Sequence, residues 1–242
     1  MEPKSTLSKF RPAPTDIKMP PLLSPADYKI DPQSLCNTYF AVRHGEAHSN
    51  LAGVLCSSGS EGAGAALTPK GVTQIRQGAH EFAQRYLTEA TQCERVVIFS
   101  SPLSRAFESA KLIREILEKK FGVEISLTPH AALRERGYGE LESQPVAEWN
   151  KLKQADLLDF ANAPWRAESV GALHARLHAL FLELEQNFKG RMILLVSHCD
   201  PIQVMQSILS SETPGHYSEV EQLKNGSWVK LSCGKGVSLL DG

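Results

Sequence analysis

The chain has 242 residues, of which 42% are hydrophobic and 22% are charged, a composition typical of a globular protein with a sizeable core. Its length allows one ordinary α/β domain, or two small domains at most. No run approaches the ~18 apolar residues of a membrane span, which excludes an integral membrane protein. The net charge of −1 excludes the overall positive field of a dedicated nucleic-acid-binding protein.

Five scattered cysteines, an odd number without a CxxC pair, indicate reduced thiols in a cytoplasmic protein. The same spacing argues against a disulfide framework and against a zinc site. We therefore expect no metal and no other cofactor.

The first 35 residues differ in composition from the rest. Seven of the fourteen prolines lie between Pro3 and Pro32, and proline prevents a helix or a central strand from running through such a stretch. Residues 1–35 are therefore predicted to form an N-terminal extension that is disordered or lies on the surface. Docking of a protein partner is an alternative that only the position of this extension suggests. Residues 36–242 would form the domain.

The domain alternates short β-branched runs with helical periodicity. Strands are predicted at 38–42, 96–99, 123–127, 192–196 and 227–232, and helices around 72–86, 106–117 and 170–188. Helix starts are predicted at Ser101-Pro102 and Asp200-Pro201, and helix ends at Gly122 and Gly190. This order predicts an α/β fold, a three-layer α/β/α sandwich around a mostly parallel sheet.

Polar residues follow the predicted strands, and the carboxyl ends of parallel strands meet at one edge of a sheet, where ligands bind. Arg43 and His44 follow the first strand, Arg105 follows the second, and His198 follows the strand at 192–196. Glu135 lies in the loop after the strand at 123–127. Two guanidinium groups can hold the oxygens of a transferring phosphoryl group, and a neutral histidine can attack phosphorus. These residues therefore predict phosphoryl transfer, provided that a sharp turn at Gly45 brings Arg43 and His44 inward.

The segment Arg43-His44-Gly45-Glu46 with Asn50 resembles the RHGE-x-x-x-N signature of the histidine phosphatase superfamily, in its phosphoglycerate mutase-like branch. Further segments are similar to the motifs of that family, in family order: LTPKG with Gln74, SPLSRA, LRER with Tyr138-Gly139, Glu168-Ser169 and Ser197-His198. The resemblance spans residues from about 38 to 228 and implies a phosphoglycerate mutase-like fold.

The resemblance also implies a role for each matching residue. His44 would be the nucleophile that accepts the phosphoryl group, and Glu135 the general acid and base. Arg43, Arg105 and His198 would bind the transferring oxygens, and Asn50 would add a neutral hydrogen bond. The implied activity is metal-independent hydrolysis of phosphomonoesters through a phosphohistidine intermediate.

Three positions depart from the family pattern. Ala47 replaces a serine or threonine, Cys199 replaces a glycine and should narrow the site, and Gly137 replaces a larger residue and should leave its loop more mobile.

Other residues have alternative structural roles. Glu135, which lies between two arginines, could form a surface ion pair of little energetic value. His174 and His178 have the i, i+4 spacing of metal ligands, but we expect them on an ordinary helix surface.

The composition of a short insertion at about 141–166 distinguishes a phosphatase from a mutase. It contains Trp149, Leu152, Leu157, Leu158 and Phe160, with Trp165 beyond, and its only cations before Pro164 are Lys151 and Lys153. We read it as an apolar helical lid, which lacks the second anion pocket of a mutase and favours a phosphatase.

Other functions stay open at this point. They are a mutase or sugar bisphosphatase of narrow specificity, a protein phosphatase, and a non-catalytic module that binds phosphorylated ligands. The expected partner is a phosphorylated small molecule, with no nucleic acid and no membrane.

Overall fold

The computed structural model describes residues 30–58, 66–210 and 214–231. The part of the extension predicted for residues 1–29 lies outside this range. The strands are β1 (Thr38–Arg43), β2 (Val96–Ser100), β3 (Ser126–Pro129), β4 (Met192–Ser197) and β5 (Trp228–Leu231). The α-helices are α1 (His48–Ala52), α2 (Pro69–Tyr86), α3 (Ala90–Cys93), α4 (Ser104–Phe121), α5 (Trp149–Leu158), α6 (Val170–Asn187) and α7 (Cys199–Ile208). Short 3-10 helices occupy Pro32–Ser34, Ala131–Leu133, Gly139–Leu141, Val146–Glu148, Pro164–Arg166 and Pro214–Glu219.

The five strands form one sheet in the order β3-β2-β4-β1-β5. Strands β1 to β4 pair in parallel and β5 pairs antiparallel with β1 at one edge. The central pair is in register from Thr38 opposite Met192 to Arg43 opposite Ser197. The carboxyl ends of β1 and β4 therefore lie side by side, as the sequence predicts.

Successive strand residues pack into two cores on opposite faces of the sheet. On one face, Tyr39, Ala41, Ile193 and Leu195 pack against α6 and α7. On the other face, Phe40, Val42, Ile98, Leu194 and Val196 pack against α2 and α4. The three-layer α/β/α sandwich around a mostly parallel sheet is confirmed.

Both predicted helix starts are wrong by two residues. Helix α4 begins at Ser104 after Leu103 as N-cap, and Ser101 instead accepts a hydrogen bond from the Leu103 N–H. Helix α7 begins at Cys199 after His198, so Asp200 lies in the first turn and does not cap it. Gly122 caps α4 in the left-handed conformation as predicted, whereas the cap of α6 is Phe188, two residues before Gly190.

The third strand is shorter and later than predicted. Its observed range is Ser126–Pro129, and the residues between Gly122 and this strand form a connection. Within it, the Ile125 N–H donates to the Glu118 carboxylate rather than to a neighbouring strand. The Glu118 side chain, near the end of α4, thus binds a backbone N–H that the β-branched pattern assigns to a strand.

The insertion holds the predicted helix, α5, but the helix is not apolar along its length. Trp149 and Leu152 are buried, whereas Leu158 is 89% exposed. His174 and His178 are buried in α6, so the expectation of an ordinary helix surface is wrong. The reason is that α6 is covered on most sides. None of the described helices is long and apolar enough to cross a membrane.

Candidate active site

A cavity of about 120 Å³ opens at the carboxyl edge of the sheet, beyond β1, β2 and β4. Five of the six predicted site residues line it: Arg43, His44, Asn50, Arg105 and Glu135. The sixth, His198, lies against the ring of His44, with the ring centroids 5.0 Å apart. The structure thus brings all six together from segments that are distant in sequence.

The loop after β1 is held by a close backbone approach at Gly45. A Cβ atom built on Gly45 would lie 2.3 Å from the carbonyl oxygen of Gly71, and one on Gly71 would lie 2.1 Å from that of Glu46. Glycine is needed at Gly45 for this contact with α2, rather than for the sharp turn that the sequence suggested. Gln74 of α2 adds a 2.9 Å hydrogen bond from the Glu46 N–H. The LTPKG motif therefore fixes the loop that carries His44.

The surroundings of His44 define its tautomer and charge. Nδ1 lies 2.7 Å from the carbonyl oxygen of Gly45, which can only accept, so Nδ1 carries the proton. Nε2 accepts a hydrogen bond from Nε of Arg105 at 3.2 Å. Burial, followed by the charges of Arg105 and Arg43, holds the pKa of His44 well below its usual value. His44 is thus a neutral imidazole whose Nε2 lone pair faces a guanidinium.

Two arginines line the cavity beside His44. Arg105 is buried in the first turn of α4, and its Nη2 donates to the carbonyl oxygen of Cys56 at 2.8 Å. Arg43 donates from Nη1 to the carbonyl oxygen of Leu223 at 2.6 Å. Its Nε is buried without a hydrogen-bond partner among the described residues. This orphaned donor is available to an anion.

His198 is fully buried behind His44. Its Nε2 is 2.8 Å from Oγ of Ser101, and within the described chain its Nδ1 has no partner. Burial and the charge of Arg105 lower its pKa well below the usual value. A bound dianion would oppose the effect of Arg105 and favour a second proton on this imidazole.

Glu135 is buried in the lining of the cavity and forms no ion pair at the surface with the described residues. Its Oε1 accepts the backbone N–H of Arg136 at 3.0 Å. Burial and then the Asp200 carboxyl raise the pKa of Glu135 to about 8, against the opposing charges of Arg105 and Arg43. A carboxyl group with this pKa carries a proton at neutral pH, as a general acid requires.

Asp200 is a second buried carboxyl group at the cavity. Oδ1 accepts a hydrogen bond from Nε1 of Trp149 at 2.9 Å, whereas Oδ2 has no partner among the described residues. Burial raises the pKa of Asp200 to about 6, with Arg136 opposing. These pKa values indicate that at pH 7 the pair of carboxyl groups holds one proton and one negative charge.

Asn50 is exposed at the rim of the cavity and its amide oxygen is already used. It accepts the Ala47 N–H at 2.9 Å and the side-chain amide of Asn225 at 3.3 Å. Asn225 also donates to the backbone carbonyl of His44 at 3.2 Å. The Nδ2 group of Asn50 is the part of this side chain that can donate to a substrate oxygen.

Buried polar contacts hold helix α5 against the loop that contains Glu135. Arg136, next to Glu135 in sequence, forms a bidentate pair with Asp156 of α5 at 2.6 and 2.8 Å. Tyr217 donates to the same carboxylate at 3.1 Å. The loop of Gly137 is also fixed, because Gly137 exchanges hydrogen bonds with Glu168 at 2.7 and 3.2 Å. These contacts indicate a fixed loop, whereas the sequence predicted a more mobile one.

Comparison with known proteins agrees with this geometry. Residues 39–241 match the family model of the histidine phosphatase superfamily (branch 1). The chain belongs to the histidine phosphatase superfamily. A search of the curated proteins gave no significant match.

Solved structures share the fold at low sequence identity. A mycobacterial glucosyl-3-phosphoglycerate phosphatase in complex with VO3 superposes with a TM-score of 0.61 at 20% identity, over 81% of this chain and 92% of that one. A putative alpha-ribazole-5'-P phosphatase from Escherichia coli gives 0.57 at 19% identity, over 80% and 89%. A protein of Thermus thermophilus gives 0.54 at 24% identity, over 80% and 92%. These likenesses support the phosphoglycerate mutase-like fold.

Sequence reasoning missed Asp200, Cys56 and Asn225 as parts of the site. Asp200 was interpreted as a helix cap because proline follows it, and a charged side chain two residues after His198 was the available signal. Cys56 and Asn225 lie in loops without regular periodicity, so no pattern indicates them.

In the described ranges, no group of three or more His, Cys, Asp or Glu side chains is arranged to hold a metal ion.

Proposed function

We propose that the protein is a phosphatase that hydrolyses phosphomonoesters through a phosphohistidine on His44, without a metal ion. The observation that carries this proposal is the hydrogen-bond pattern of His44, with Nδ1 donating to Gly45 and the Nε2 lone pair facing Arg105 inside the cavity. The superfamily to which the chain belongs consists of enzymes of phosphoryl transfer, and this agrees with the proposal.

In the first step, Nε2 of His44 attacks phosphorus as the bond to the leaving oxygen breaks. The guanidinium groups of Arg43 and Arg105 hold the equatorial oxygens, and Nδ2 of Asn50 donates a further hydrogen bond. His198, next to the His44 ring, shares in binding the anion. Glu135 gives its proton to the leaving oxygen, so the alcohol departs neutral.

In the second step, Glu135 works as a base. As the carboxylate left by the first step, it takes a proton from water, and the resulting hydroxide attacks the phosphohistidine. The bond between phosphorus and Nε2 breaks, inorganic phosphate forms, and neutral His44 is restored. Each cycle returns Glu135 to its protonated form.

The lining of the cavity favours hydrolysis over mutase chemistry. A mutase must hold a bisphosphorylated intermediate, which requires cations for a second anion. Among the described residues that line the cavity, Arg43 and Arg105 are the only cations, and both lie beside His44.

The substrate we propose is a phosphorylated small molecule, because the cavity has a volume of only about 120 Å³. We place the protein in a reducing compartment, the cytoplasm, as the sequence suggested. The four cysteines within the described ranges are free thiols, which supports this location.

The proposal is tested by hydrolysis of p-nitrophenyl phosphate in the presence of EDTA. We expect wild-type turnover to persist, and His44→Ala to lower kcat/KM by about a thousandfold or more, because the nucleophile is lost. His80→Ala, at an exposed histidine of α2, is the matched control and should leave turnover unchanged. Equal turnover by His44→Ala and wild type would refute the role of His44, and no hydrolysis by wild type would refute the phosphatase.

A further inference from the structure

Part of the cavity has an apolar lining. Val54, Leu55, Val146 and Trp149 contribute to it, and we call these four residues the apolar wall. Leu55 and Trp149 are buried, whereas Val146 is 57% exposed and therefore reaches the mouth of the cavity.

The apolar wall is held by a short antiparallel backbone ladder. Val54 and Pro145 form a β-bridge, and the Leu55 N–H donates to the carbonyl of Gln144 at 2.8 Å. The Val146 N–H donates to the carbonyl of Gly53 at 2.8 Å. These bonds join the segment after α1 to the insertion, so the wall is formed before a substrate arrives.

The size of the cavity decides where the leaving group lies. At about 120 Å³, the cavity is smaller than the ~300–1,000 Å³ of sites that enclose a drug-sized ligand. With the phosphoryl group between Arg43, Arg105 and His44, the leaving group must extend along the apolar wall and past Val146 to the mouth.

The charges near this path disfavour a second anion. The carboxyl groups of Glu135 and Asp200 line the cavity, and Oδ2 of Asp200 has no donor among the described residues to offset its charge. Both lining cations are used at the phosphoryl position. Lys153, whose Nζ lies 3.7 Å from the centre of the Trp149 ring, is not among the residues that line the cavity. Within the cavity, a carboxylate or second phosphate on the leaving group would therefore meet apolar side chains and the like charge of Asp200.

We infer that the substrates are phosphomonoesters of apolar or aromatic alcohols that carry no second anionic group, selected by the apolar wall. This inference rests on the proposed phosphatase activity and adds its substrate class. Phosphorylated carboxylic acids and bisphosphates would be poor substrates.

The test compares two esters of similar leaving-group chemistry, 4-methylphenyl phosphate and 4-(carboxymethyl)phenyl phosphate. We expect wild-type kcat/KM to be about tenfold or more higher for the methyl ester, because apolar contacts and charge repulsion act in the same direction. Val146→Lys, which places a cation at the exposed mouth, should reduce this ratio by about threefold or more. Leu182→Lys, at an exposed position of α6, is the matched control and should leave the ratio unchanged.

The outcomes separate the inference from the activity on which it rests. Hydrolysis of both esters at similar kcat/KM, or a ratio that Val146→Lys does not change, would overturn the substrate class while the phosphatase stands. Absence of hydrolysis of either ester by the wild-type protein would refute the phosphatase itself.

Discussion

The proposed proton transfer involves two buried carboxyl groups, those of Glu135 and Asp200. In the proposed mechanism Glu135 gives a proton to the leaving oxygen, and burial, followed by the charge of Asp200, raises the pKa of Glu135. The Trp149 indole and the Asp200 carboxylate are joined by a hydrogen bond, so the position of this charge is fixed by α5.

This arrangement predicts a pH dependence. The general acid works only while protonated, so wild-type kcat/KM should fall as the pH rises through the pKa of Glu135, at about 8. Asp200→Asn removes the charge that raises this pKa, and should move the alkaline limb about one unit toward lower pH. The asparagine Oδ1 can still accept from Trp149, so the fold is preserved. A limb unchanged in the pH profile of Asp200→Asn would contradict the role assigned to Asp200.

The sequence identified a site residue only where the type of its side chain directly suits the proposed phosphoryl transfer. Arg43 and Arg105 supply the positive charges and His44 the neutral nucleophile that phosphoryl transfer needs, and each follows a strand, so the sequence indicated them. Asp200 was assigned to a cap, because a local pattern does not show that the helix begins two residues before Pro201 and that Asp200 lines the cavity.

At the scale of elements, the active-site loop depends on its contact with α2. The carbonyl of Gly71, in the first turn of α2, would lie 2.3 Å from a Cβ atom on Gly45. No side chain fits there unless one backbone moves. His44, the proposed nucleophile next to Gly45, would move with this backbone.

Gly45→Ala should therefore lower both stability and activity. We expect the free energy of unfolding to fall by about 1–3 kcal/mol, and kcat/KM to fall by about a hundredfold, because a displacement of about 1 Å misplaces His44. Urea unfolding and steady-state kinetics measure the two effects. Gly137→Ala is the control, since the nearest atom to its Cβ would be 3.6 Å away, and it should change neither quantity appreciably. Similar losses in both variants, or none in Gly45→Ala, would refute the contact as the cause.

The insertion also shows what a pattern of apolar residues cannot predict. Its apolar residues suggested a lid, but Leu157 and Leu158 face solvent and the helix is fixed through Asp156. A fully buried Arg136–Asp156 pair requires partners from two segments 20 residues apart. Only the tertiary structure reveals that these charges meet in the interior rather than at the surface.

At the scale of the whole molecule, the sequence predicted the architecture well, because each central strand is a short buried run and each long helix has a regular apolar period. The edge strand β3 and the helix starts were less predictable, since caps and connections compete there for the same backbone groups. The assembly of the site follows from topology: parallel strands β1, β2 and β4 end at one edge and bring distant loops together.

The proposed mechanism requires that the phosphoryl group is transferred to His44. Rapid acid-free quenching of wild-type protein with a 32P-labelled phosphomonoester measures this directly. We predict a transient protein-bound label that is labile to acid, stable to alkali and located on His44 by peptide mapping, and that is absent from His44→Ala. Turnover without any labelled intermediate, or a label on Cys56 or Cys199, which also line the cavity, would contradict it.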